Sequence, residues 1–281
     1  MALNRSSQWL CLCAVFALCF TLRIGVGGVI DATVPVVKRA DVYSDIAVNL
    51  ARGHGFVAEA GGEPIIWRAP LYPAFLAAVY ALFGEQNETG VFLTQSALDA
   101  VTAVLIFYLG TRLFGETVGL LSAVSFAVHP LSAYYSLRFL SEPLFTLAFT
   151  AVIAAWIAAV TTRRLMAYLA VGALIAVAAL VKPVALGLWP LLATCVVCQL
   201  RDEPGRALSA ATVLTLACLM VLAPWALRNY RATGEVVAVA PLVRELRRRY
   251  PDARLVVSTV TETGREAVEQ RLEGVAEHRY A

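Results

Sequence analysis

Two aspartates four residues apart, Asp41 and Asp45, stand in the one long polar interval of an otherwise apolar chain. The interval runs from Lys38 to Pro73. It also holds His54 and Arg68, the latter just ahead of a Pro-Leu-Tyr-Pro turn. Tyr43, Ala47 and Leu50 recur at helical spacing, which puts both carboxylates on one helix face. Such a pair can bind a cation or supply a general base; it can also be the solvated face of a surface helix. Arg68 carries a planar fork that grips two phosphate oxygens, or it anchors an interface helix at headgroup level.

Other charged residues sit at the edges of apolar runs. Glu142 opens one such run in Ser-Glu-Pro-Leu-Phe, where a helix dipole favours an acid. Asp99 lies mid-run, so it must face a polar interior, either as a cavity wall or in an interhelical bond near Gln95. Lys182 precedes Pro183 and can meet an anion or snorkel to the surface. His54 and His129 have no partner at metal-ligand spacing, so no metal site is expected. All six cysteines fall inside apolar runs. The pair Cys195 and Cys198 lacks a second Cys or His cluster, so it reads as small apolar filler rather than zinc ligation.

The elements that must position these groups are membrane helices. The chain is 59% apolar and 15% charged, against about 45–50% and about 25% in soluble domains. A net charge of +3 with arginines mostly between apolar runs speaks for topology, not nucleic acid. A spanning helix needs about 20 apolar residues. The expected spans are Trp9 to about Ile30 (with Arg23 near its outer end), Val91 to Leu109, Glu116 to Tyr135, Pro143 to Val160, Met166 to Val181, Pro183 to Leu200 and Ala207 to Leu227. The first run is read as a retained helix and not a signal peptide, because no small-residue cleavage site ends it. Pro70 to Phe83 is expected along the interface, anchored by Tyr72 and Tyr80.

Counting alternately from a cytoplasmic N-terminus puts Arg112, Arg163, Arg164, Arg201 and Arg206 inside, as the positive-inside rule asks. The loop 31–90, Glu142, Lys182 and Arg228 then fall outside. From about Gly234 the pattern changes to β-α-β-α: strands at Val236–Val239 and Leu255–Val260, helices from Pro241 and Thr261. That is the opening of a parallel α/β domain. About 48 residues are too few to complete one.

Four motifs in order carry a family resemblance. They are Asp41 to Phe56 (D-x-Y-x-x-I-A-x-N-L-A-x-G-x-G-F), Arg68 to Pro73 (R-x-P-L-Y-P), Ser141 to Phe145, and Pro224-Trp225-x-x-Arg228-Asn229-Tyr230. Together they resemble bacterial polytopic glycosyltransferases of the GT-C fold, relatives of protein O-mannosyltransferases and of the lipid A aminoarabinose transferase. The resemblance covers about 9–233. It implies an inverting sugar transfer from a polyprenyl-phosphate donor to a lipid or protein acceptor of the cell envelope, on the periplasmic side of a bacterial inner membrane. Asp41 matches the family's general base. Arg68, Lys182 and Arg228 are candidates for stabilising the leaving phosphate, and Glu142 for holding the acceptor or a cation. Asp45, His54 and Tyr72 are further candidate substrate contacts. A divalent cation is the one candidate cofactor. The family usually carries more spans than are found here.

The tail resembles a different family. Gly234-Glu235-x-x-Ala238 and Pro241 to Gly264 look like the N-terminal domain of 3-deoxy-D-manno-octulosonic acid (Kdo) transferase, a GT-B enzyme of lipopolysaccharide synthesis. Glu235 matches that family's catalytic glutamate. The expected architecture is thus an all-α polytopic membrane bundle of about seven transmembrane helices, GT-C-like, over 1–232, with a short α/β fragment of GT-B type over 233–281. A truncated GT-C enzyme joined to a Kdo-transferase fragment follows from the two resemblances. Other readings are a transporter-like bundle using Asp99 and Glu142, a Kdo-transferase-related protein, and an inactive fusion remnant.

Overall fold

The computed structural model describes residues 5–33 and 42–234, all of them within the first of two units, Met1–Val239. Asp41, Glu235 and the strands and helices expected after Gly234 lie outside the described residues. Among the described residues the fold is helical: α1 (Arg5–Thr33), α2 (Tyr43–Ala51), α3 (Leu71–Phe83), α4 (Glu88–Phe114), α5 (Glu116–Ala127), α6 (Pro130–Leu137), α7 (Glu142–Thr162), α8 (Leu165–Val181), α9 (Leu188–Gln199) and α10 (Pro204–Thr233). A 3-10 turn at Pro183–Gly187 leads into α9.

The breaks follow from local chemistry. Gly115, at φ 95°, ends α4 and starts α5 in a conformation that costs a side-chain-bearing residue far more. Proline opens α6 and α10 at positions where its missing N–H is no loss. Asn87 caps α4, its side-chain oxygen accepting from the Gly90 N–H at 2.8 Å.

Four helices, α1, α4, α7 and α10, are long and apolar enough to cross a membrane. The α5–α6 pair makes a fifth if it counts as one span, bent by 49° at His129-Pro130. The expected span from Glu116 to about Tyr135 is thus two helices that meet at an angle. The seven expected spans also included α8 and the Pro183 segment, and both are short. The 17 residues of α8 cover roughly 26 Å at ~1.5 Å per residue, less than a hydrocarbon core of roughly 30 Å.

Half of the most apolar stretch of α4 is buried, against about a fifth for α1 and α7, so α4 is the central helix. It packs against α1, α3, α5, α6 and α7. On one side α7, α8, α9 and α10 share a core of mostly small and branched residues. Small residues are what close helix packing in a bilayer requires, because lipid removes the hydrophobic drive. The tightest point is Gly172 of α8, where an added Cβ would collide with the Leu214 carbonyl of α10. A second core joins α1, α4 and α5 through Val15, Cys19, Ala100, Ala103 and Ala123.

A buried ion pair locks the bend. Arg23 is 1% exposed, and its Nε donates to Asp99 Oδ2 at 2.7 Å. Its other nitrogens donate to the carbonyls of Ala127 and Phe126. The N–H that would serve Phe126 in an unbroken helix belongs to residue 130, which is proline. Arg23 therefore adds a donor to the Phe126 carbonyl, which also accepts from the His129 N–H at 3.2 Å, and to the Ala127 carbonyl next to it. Ser136 of α6 completes the set by donating to the same Asp99 oxygen at 2.6 Å. Arg23 is thus an interior residue of α1, ten positions before the helix ends, and not a residue of its outer edge.

Candidate functional site

The polar interval expected to carry chemistry is built on α2 and α3. Tyr43, Ile46, Ala47 and Asn49 form the buried face of α2, which leaves Asp45 exposed. Tyr43 packs edge-on against Tyr72 of α3, with ring centroids 5.0 Å apart, and both belong to a buried cluster with Val91 and Phe139. Tyr80 shares a hydrogen bond of 2.9 Å with Ser44. Tyr72 donates to Gln95 at 2.8 Å and is fully buried. The two tyrosines expected as interface anchors therefore place their hydroxyls on protein partners, and Tyr72 stands behind the site's surface. Gln95 in turn donates to the carbonyls of Ser136 and Arg138, which fastens α3 and α4 to the end of α6.

Asn49 holds the rest of the interval in shape. Its amide donates to the carbonyls of Ala58, Val57 and Asp45, while its oxygen meets His54 Nδ1 at 3.1 Å. His54 is thereby an exposed member of a turn. Phe56 and Ile65 pair through a backbone bond of 3.0 Å. Arg228, from the last turns of α10, donates to both of their carbonyls, at 3.2 Å and 2.7 Å. Its guanidinium also lies over Trp225, and Trp225 meets Phe56 edge-on. Arg228 thus clamps the loop to the bundle across more than 160 residues of sequence.

Arg68 lies over the Tyr43 ring at 4.5 Å, beside Trp67, and donates to the Tyr43 hydroxyl at 3.1 Å. The next residue, Ala69, is buried in the α7–α10 core. That seats Arg68 against the same core as Phe145, over which Lys182 Nζ sits at 5.9 Å from the centroid. Lys182 ends α8, and its ammonium donates to Glu142 Oε1 at 2.7 Å. Both side chains are about three-quarters covered. Two candidates separated by forty residues in sequence are therefore brought into one ion pair. The second carboxylate oxygen of Glu142 is buried with no hydrogen-bond partner, and so is the hydroxyl of the preceding Ser141. A buried carboxylate oxygen left unpaired is costly, so this corner is short of a donor.

Asp45, by contrast, directs no carboxylate bond to these groups. No three His, Cys, Asp or Glu side chains converge to hold a metal among the described residues. Asp99 is taken up by Arg23 and Ser136. Sequence reasoning missed the structural parts played by Asn49 and Gln95. Their signal was an amide in or beside an apolar helical run, which burial requires to be bonded.

The candidate residues share one end of the bundle because the chain alternates. Helices α4 and α7 start there, and α8 and α10 finish there. Arg112, Arg163 and Arg206 belong to the opposite end, where α4 and α7 finish and α10 starts.

Comparison with known proteins fits this arrangement. Residues 67–227 match the family described as dolichyl-phosphate-mannose-protein mannosyltransferase, a stretch that includes Arg68, Tyr72, Glu142 and Lys182. Residues 231–281 match the family described as 3-deoxy-D-manno-octulosonic-acid transferase. No curated protein and no solved structure gives a significant match. The first match spans more than half of the chain, and with its several apolar helices this chain belongs to the dolichyl-phosphate-mannose-protein mannosyltransferase family, multi-pass membrane glycosyltransferases of GT-C type.

Proposed function

We propose that the chain moves a sugar from a polyprenyl-phosphate donor to a cell-envelope acceptor, with inversion, at the end of the bundle that carries Arg68, Glu142 and Lys182. The observation that carries this reading is the Glu142–Lys182 pair with its unpaired carboxylate oxygen, beside Phe145, which packs on the core that also buries Ala69, the neighbour of Arg68. In this reaction an acceptor hydroxyl attacks the anomeric carbon, the bond from that carbon to the phosphate oxygen breaks, and the lipid phosphate leaves with the electron pair. Asp41 takes the hydroxyl proton as general base. The fork of Arg68 and the free protons of the Lys182 ammonium stabilise the departing phosphate. Glu142 Oε2 and Ser141 receive the acceptor's hydroxyls or a divalent cation. Arg228 holds the loop over the site, and Asp45, His54 and Tyr72 line or support it.

In this reading the Arg68 end faces the periplasm of a bacterial inner membrane and the Arg163 end faces the cytoplasm. Residues 1–232 form the transferase domain. The match at 231–281 favours a second element: a Kdo-transferase-like segment, 233–281, joined directly to the first. The two family matches abut between residues 227 and 231, within the last turns of α10.

The test uses membranes containing the full chain and polyprenyl-phosphate mannose as the first donor. Asp41→Asn should lower transfer by about 10²–10⁴-fold, the usual contribution of a general base, while membrane insertion is unchanged. Full activity in Asp41→Asn removes Asp41 from the mechanism. Cysteines placed at His54 and Arg164, in a background without native cysteines, report sidedness. Labelling of both from the same face would overturn the orientation.

A further inference from the structure

At the end of the bundle away from Glu142, the finish of α7 and the starts of α8 and α10 enclose an open groove of about 610 Å³. Arg163, Arg164, Leu165, Met166, Arg206 and Ser209 line it. Arg163 is held in the left-handed region, at φ 53°, which side chains seldom adopt. Arg206 donates to the Arg163 carbonyl at 2.8 Å. Glu203 receives one bond from each of the two guanidiniums, both at 3.2 Å. Arg164 is exposed and directs its guanidinium to no partner among the described residues. Two guanidiniums thus share one carboxylate, with a third beside them. Neither α8 nor α10 has a side-chain cap, so their positive dipole ends add to the same potential.

The apolar wall of the groove is also open. Met166 is 71% exposed and Leu165 43%, and Leu208, the residue before the lining Ser209, is 69% exposed. A surplus of positive charge directly bordering uncovered apolar side chains, at the end of membrane helices, matches one ligand chemistry. That ligand is a phosphate carried on a hydrocarbon tail. We infer that this groove binds the headgroup of an anionic phospholipid from the surrounding leaflet. The phosphate sits among Arg163, Arg164 and Arg206, and the acyl chains lie along Leu165, Met166 and Leu208. Basic pockets between membrane helices are the ordinary form of such sites. The inference stands independently of the sugar-transfer reading, because it uses no residue of that site.

The test uses the purified full chain in nanodiscs of phosphatidylcholine with and without phosphatidylglycerol, and native mass spectrometry counts retained lipid after transfer to neutral detergent. The wild type should retain phosphatidylglycerol over phosphatidylcholine and unfold at a higher temperature when it is present. Arg164→Gln removes a side chain that bonds nothing among the described residues and leaves the fold intact. It should weaken retention about fivefold, the effect of one cation near a charged surface, and the double variant Arg164→Gln/Arg206→Gln more. Arg52→Gln, at an exposed arginine of the opposite end, should leave the preference for retained phosphatidylglycerol unchanged. Equal retention by wild type and Arg164→Gln overturns the site. So does an equal loss in Arg52→Gln, which would make the effect one of net charge. Equal protection by soluble glycerol phosphate would overturn the lipid assignment in favour of a free phosphate.

Discussion

The two ends of α7 are built from the same kinds of residue and leave opposite things unfinished. At its start, Glu142 and Lys182 are mostly covered and paired at 2.7 Å, and a carboxylate oxygen and a serine hydroxyl remain without partners. At its finish, Arg163 and Arg206 share Glu203 and are about half exposed, while Arg164 has no acceptor among the described residues. At the start of α7 a carboxylate oxygen is left over, and at its finish a guanidinium is. An exposed ion pair is worth little by itself, so the groups left over at each end tell more than the pairs. Unfilled acceptors suit hydroxyls or a cation; unfilled guanidiniums suit phosphate. Distance enforces the division: 21 residues of helix separate the two ends by roughly 31 Å at ~1.5 Å per residue.

The most forceful way to break this contrast is to release the lock that keeps the bundle in register. Asp99→Ala leaves Arg23 buried and uncompensated, and should lower stability by about 3–5 kcal/mol, read as unfolding of the detergent-purified chain. The double variant Arg23→Met/Asp99→Leu should recover much of that loss. A more direct probe is Glu142→Gln, which keeps shape but removes the charge facing Lys182. Loss of a charged hydrogen bond worth about 1.5–3 kcal/mol should cost transfer about ten- to hundredfold. Arg163→Gln, at the other end, should leave transfer unchanged, and equal losses in both would erase the contrast. Gly172→Ala forces α8 off the α10 backbone. It should lower stability by about 1–3 kcal/mol without moving donor affinity, because the strain lies midway along α8 and not at either end. The smallest effect belongs to Arg52→Gln. Its two bonds to Glu85 are exposed on both sides, and their loss should cost about 0.2–1 kcal/mol in a thermal scan.

Much of this contrast was legible in the sequence. Apolar runs gave most helices, and their alternation sorted Glu142, Lys182 and Arg228 from Arg112, Arg163 and Arg206. The motif order gave the family. What could not be read was partnership at a distance. Arg23 and Asp99 are 76 residues apart, and nothing local says that α1 would add donors to the carbonyls before Pro130. The charge of Arg228 was visible in the sequence and its loop contacts were not. Tyr72 and Tyr80 looked like interface anchors because the typical habit of tyrosine at membrane surfaces outweighed two buried hydroxyl partners. The span count was least legible where length was marginal, at α8 and the Pro183 segment, because hydropathy alone does not distinguish a short helix packed among others from one that crosses.

The Arg23 lock also dictates an order of assembly. A chain made from its N-terminus inserts α1 before Asp99 or the α5 carbonyls exist. Until they arrive, Arg23 holds a charge in the bilayer at a cost of roughly 2.5–3.5 kcal/mol on insertion scales, and the arrival of α4 and α5 is what lets that charge be paired.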